Sequence, residues 1–128
     1  MILKQINENQ NWITMNWECA FLMKWGHILH GIRAISPTFK EVEVVAGAMG
    51  AQPKVINPTE KPDEQPMVQM RGYSNFFKGK VSLLFNTGTN TLRLTIPRNL
   101  NLTSDYQNLA IAVGPFMDSL ELRMYSGK

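Results

Sequence analysis

The sequence predicts an all-β chain, a single-domain antiparallel sandwich, jelly roll or small barrel of about eight strands. Three observations lead there. Short stretches alternate apolar and polar residues with period two, as a strand with one buried face does. Turns containing Gly or Asn separate these stretches at short intervals. The polar share comes from Asn, Thr, Ser and Gln, since only 18% of residues are charged. Evenly spaced short strands suit sandwiches and barrels. The chain has 128 residues, the size of one ordinary domain, so residues 1–128 are expected to share one core.

The elements follow in order. From Ile13 to Trp25 every odd position is apolar (Ile13, Met15, Trp17, Cys19, Phe21, Met23, Trp25), which predicts a strand. A helical spacing through Trp17, Phe21, Trp25, Ile28 and Ile32 competes with it. "KWGH" is expected to turn the chain into a second strand, Ile28 to Ile35, completing a hairpin. A third strand near Val42 to Ala46 should stop at Gly47 and Gly50. Residues 51–66 carry Pro53, Pro58, Pro62 and Pro66, which cannot donate to a ladder, and so predict a long surface loop.

Five more strands are expected at "MVQMRGY", "KVSLLFN", "TLRLTIP", "LAIAVG" and "SLELRMY". In the last four the inward sets are Val81, Leu83, Phe85; Leu92, Leu94, Ile96; Leu109, Ile111, Val113; and Leu120, Leu122, Met124. "NTGTN" and "FMDS" are the predicted hairpin loops between them. No helix is expected.

Several functions lack the residues they need. The net charge of +3 is spread from Lys4 to Lys128 without a basic block. Cys19 is the single cysteine, so no internal disulfide or multi-cysteine zinc site can form. His27 and His30 would point to opposite faces of a strand, which argues against a metal. No nucleophile elbow, phosphate loop or paired-carboxylate motif is present, so neither an enzyme nor a cofactor is expected. No apolar run approaches the roughly 18 residues of a membrane span, and no signal-peptide segment opens the chain; membrane insertion is not expected, and synthesis in the cytoplasm is. The sequon Asn101-Leu102-Thr103 matters only in a secretory compartment.

"RGYSNFFKGK", residues 71–80, places three aromatics among three cations. It approaches the signature strand of RNA-recognition modules but has Asn75 and Lys78 where aromatics belong, and no helix is expected to back the sheet. A single-strand-binding barrel that stacks bases on Tyr73, Phe76 and Phe77 beside Arg71, Lys78 and Lys80 survives both objections. Against it stands a structural role, in which Phe76 and Phe77 cap the core at a strand junction. Indole faces can also hold sugar rings. Alternation buries Trp17 and Trp25, and leaves Trp12 at a strand start.

The run "WECAFLMKWGHILHGIRAI" resembles the C-terminal head domains of bacteriophage tail-fibre and baseplate proteins, in which a Lys-x-Gly hairpin is followed by a Pro-containing loop and alternating strands. The resemblance covers the first hairpin, and the remainder only in rhythm. It implies a non-enzymatic, trimeric receptor-binding head on a virion that recognises a host-surface saccharide or protein. Placement in expected turns and strand ends makes Trp25, His27, Arg71, Tyr73, Asn75, Asp105 and Tyr106 the candidate ligand contacts. Two alternatives stand beside it: the nucleic-acid-binding barrel centred on Arg71–Lys80, and a small inhibitor that covers the surface of a host protein.

Overall fold

A computed structural model describes residues 1–47, 52, 54–57, 66–98 and 105–126. The chain is mostly β: one antiparallel sheet of seven strands, accompanied by two helices. The strands are β1 (Ile2–Glu8), β2 (Trp12–Glu18), β3 (Phe39–Gly47), β4 (Lys54–Val55), β5 (Met67–Ser74), β6 (Gly79–Asn86) and β7 (Thr91–Pro97). Their spatial order is β1-β2-β7-β6-β5-β3-β4. The helices are α1 (Trp25–Ile35), which runs into a 3-10 turn at Ser36–Thr38, and α2 (Tyr106–Tyr125).

Alternation places the strands as the sequence predicts. Ile13, Met15 and Trp17 on β2, Leu92, Leu94 and Ile96 on β7, and Val81, Leu83 and Phe85 on β6 all point to one buried face. Strand β1 is not among the expected elements, the strand expected from Ile13 to Trp25 ends at Glu18, and three expected strands are helical. Ile28–Ile35 is helix, because Ile28, Leu29, Ile32 and Ile35 are buried at spacings of three and four, and one stripe of a helix satisfies all of them. "LAIAVG" and "SLELRMY" are parts of the single helix α2, and "FMDS" lies inside it rather than in a turn. Leu109, Val113, Met117, Leu120 and Met124 are buried, whereas Ile111 and Leu122, expected inward, are 68% and 72% exposed. The alternation in these two stretches was a by-product of a helical stripe flanked by further apolar residues.

Asp105 starts α2 as its N-cap, its Oδ1 accepting from the Asn108 N–H at 3.0 Å. Gly114 and Pro115 sit in the middle of the helix, where Pro115 has no N–H to donate to the carbonyl one turn earlier. Helices α1 and α2 pack on each other closely at Gly31, where a Cβ would lie 2.5 Å from Met124 Cγ. Their buried residues join the inward side chains of the sheet in one apolar cluster. The opposite face of the sheet is left, among the described residues, without a covering element.

The corner between β2 and α1 is tied from afar. Asn90, in the β6–β7 turn, adopts φ 57°, a left-handed conformation that Asn tolerates. Its Oδ1 accepts from the Met23 N–H at 2.7 Å, and its Nδ2 donates to the carbonyls of Cys19 (3.2 Å) and Phe21 (2.9 Å). Glu121 of α2 accepts from the Ala20 N–H at 2.9 Å and from the Met1 ammonium at 3.0 Å. Of the predicted loop at residues 51–66, Lys54–Val55 forms β4 against β3; most of the remainder, and the sequon, lie outside the described residues.

Candidate functional site

Cross-strand register assembles the open face. Thr14 pairs with Thr95, Thr95 with Ser82, Ser82 with Arg71 and Arg71 with Glu43, so one row of polar residues crosses five strands. This row is the floor of a groove of about 620 Å³, bounded by Asn9 and Trp12 at one end and by Glu41 and Lys80 towards the other. Four inter-strand steps make the row about 19 Å long.

Local structure sets each end. At the β1–β2 turn the Asn9 Oδ1 accepts from the N–H groups of Asn11 and Trp12, both at 2.8 Å, an Asx-type turn that fixes the backbone beneath the indole. Trp12 is left 40% exposed. At the other end the β3–β5 register slips between Lys40 and Glu43, a bulge in which Glu41 takes φ 54°. Gly72 lies opposite, and a Cβ there would come within 3.1 Å of the Lys40 carbonyl oxygen. The bulge brings both Glu41 and Glu43 to the groove.

The groove is charge-balanced, with Glu41 and Glu43 against Arg71 and Lys80. Arg71 is already ion-paired with Glu43. Hydroxyls make up much of the floor: Thr14 and Thr95 are 3.4 Å apart, and the Ser82 oxygen accepts from Gln69 Nε2 at 2.7 Å, which leaves its own O–H to donate outward. Such a surface offers donors and acceptors beside one aromatic plane, and little net field.

The candidate residues from the sequence do not converge. Arg71 lines the groove, and Tyr73, 39% exposed, is two residues along the same strand on the same face. Asn75 is in the β5–β6 turn. Trp25 and His27 are in the first turn of α1, a helix rather than the expected strand-to-strand turn. There the His27 Nδ1 accepts from the Lys24 N–H at 3.0 Å, and its ring meets Phe21 edge-on at 4.8 Å. Burial, and then the Lys24 charge, hold its pKa below the usual histidine value. Asp105 and Tyr106 open α2 and are separate from the groove.

The "RGYSNFFKGK" stretch divides. Arg71, Tyr73 and Lys80 face the open side, while Phe77 packs on Phe116 of α2 at 5.1 Å and Phe76 stacks on the same ring at 5.7 Å. The two phenylalanines therefore cap the junction between turn and helix. One objection to an RNA-recognition architecture falls, since two helices do back this sheet.

Thr14, Thr95, Ser82 and Glu43 escape a reading by sequence because only strand order makes them neighbours; Glu41 depends on the bulge. Burial pushes the Cys19 thiol up, away from nucleophilic reactivity. Among the described residues no group of three or more His, Cys, Asp or Glu is placed to hold a metal, and no helix is long and apolar enough to cross a membrane. No family model, curated protein or solved structure matches the chain.

Proposed function

We propose that the domain is a non-enzymatic recognition module whose open sheet face binds a saccharide in the groove between Trp12 and Glu43. The observation that carries this is the charge-balanced floor of hydroxyls and paired charges beneath an exposed indole. A sugar ring lays its C–H face on the indole and exchanges hydrogen bonds with Thr14, Thr95, Ser82 and the Arg71–Glu43 pair. A length of about 19 Å suits a linear chain of several units. Placing the module on a virion, as one of three copies that contact a host-surface glycan, rests on the sequence resemblance to phage fibre heads alone, since the expected hairpin that carried it is strand β2 followed by helix α1.

The test is binding to a glycan array, followed by titration of the best hit. Trp12→Ala should weaken that hit by about tenfold or more, and raising the salt should change its affinity little. Unchanged affinity in Trp12→Ala would remove the groove from the argument. Light scattering tests the trimer separately: three times the 14.5 kDa chain mass is the expected value.

A second reading, binding of single-stranded nucleic acid, gains from the helix-backed sheet and from Tyr73 lying beside Lys80 in the β5–β6 register. It makes the opposite salt prediction, with affinity falling steeply as ionic strength rises.

A further inference from the structure

A second concavity on the same face adjoins the groove. One step further along the strands the cross-strand row reads Asn16, Arg93, Leu84, Gln69. Asn16, Arg93 and Leu84 of this row line a hollow of about 340 Å³ whose charged lining is Lys4 and Arg93, with no carboxylate among the lining residues. Its balance of charge is therefore unlike that of the groove.

The geometry around Arg93 is directional. Gln5 Oε1 accepts from Asn16 Nδ2 at 3.3 Å, and Asn16 Oδ1 accepts from Arg93 Nε at 3.3 Å. This relay holds the guanidinium by its inner nitrogen. Its two terminal nitrogens make no hydrogen bond or ion pair with any described residue. A guanidinium fixed at Nε presents a flat fork of donors that matches two oxygens of one oxyanion. Lys4 is also paired only loosely, at 3.5 Å from Glu18, with both side chains about half exposed.

We propose that this hollow is an oxyanion subsite: Arg93, positioned by Asn16 and assisted by Lys4, takes a carboxylate, sulfate or phosphate substituent carried by the saccharide in the adjoining groove. The inference rests on the saccharide reading and narrows it to an acidic saccharide. Thr14 and Asn16 are two residues apart on β2, about 7 Å, so neighbouring units of one chain reach both sites. Asn16 is a positioning residue, acting through Arg93.

The experiment uses the full chain on an array of neutral, carboxylated, sulfated and phosphorylated glycans, with a single-stranded oligonucleotide as a further probe. Acid-bearing glycans should bind above their neutral parents, and the preferred substituent identifies which oxyanion the fork takes. Arg93→Gln should lower affinity for the acidic hit by about ten- to hundredfold and leave the neutral parent unchanged. Arg93→Lys should not restore it, because an ammonium lacks the fork. Asn16→Ala should weaken the same hit without altering charge. Arg93 is exposed, so an unchanged melting temperature certifies folding in each variant.

If the acidic and neutral forms bind alike, or Arg93→Gln leaves the acidic hit untouched while Trp12→Ala weakens it, the groove reading stands and the subsite is wrong. If no glycan binds, both fall. Binding of the oligonucleotide alone, with loss in Arg93→Gln, would replace the saccharide by a phosphate polymer and overturn the proposal.

Discussion

The two faces of strands β2 and β7 are built from alternate residues of the same fourteen-residue ladder, yet they do unrelated work. Inward, Ile13, Met15, Trp17, Leu92, Leu94 and Ile96 are at most 2% exposed. Outward, Thr14, Asn16, Thr91, Arg93 and Thr95 keep contact with water. Parity along the strand thus separates the side chains that hold the fold from those available to a ligand. A change at an even position of β2 or an odd position of β7 should alter recognition and spare stability; the neighbouring residue should do the reverse.

The largest expected effect is on the inward side. Leu94→Ala removes a fully buried side chain and should cost about 2–5 kcal/mol in chemical denaturation. A loss below about 1 kcal/mol would mean that this face is not the core. Asn90→Ala comes next, at about 2–3 kcal/mol, since three hydrogen bonds to the β2–α1 corner vanish and Ala resists φ 57°. Hydrogen exchange should show the Met23 amide losing protection first.

Acidification has a smaller effect, at the start of α1. The folded pKa of His27 lies below its unfolded value near 6.5, so the cap it provides with a neutral Nδ1 is fully present above that value. Its contribution is lost as pH falls through the folded pKa. Fraying of α1 on acidification, seen in amide exchange at Lys24, should therefore disappear in His27→Ala. Smallest of all is the stability change in Arg93→Gln, expected within about 0.5 kcal/mol because the residue is exposed. A large destabilisation there would break the division between faces.

The strands β5, β6 and β7 were legible because nothing competes with period two between their Gly- and Asn-containing turns. Helix α2 was not. Gly114 and Pro115, both poor helix formers, stand in its centre, and Ile111 and Leu122 add apolar residues on the solvent side, so that Leu109, Ile111 and Val113 imitate a strand. The true signals were the Asp105 cap and the series Leu109, Val113, Met117, Leu120, Met124. Helix α1 was hidden by the alternation that β2 and the following loop carry as far as Trp25. Of the groove, Arg71, Lys80 and an exposed Trp12 could be read from sequence. The rest could not, because residues 14, 43, 82 and 95 meet only through a strand order that sequence spacing does not encode.

The pairing of β2 with β7 brings together side chains such as Thr14 and Thr95, 81 residues apart. During synthesis at roughly 5–20 residues per second, β2 therefore waits about 4–16 s for its partner. In that interval the β1–β2 hairpin carries an open backbone edge and a row of bare apolar side chains ending in Trp17. The late arrival of β7, rather than any weakness of the finished domain, marks the period in which a newly made chain is most exposed to aggregation and most in need of a chaperone.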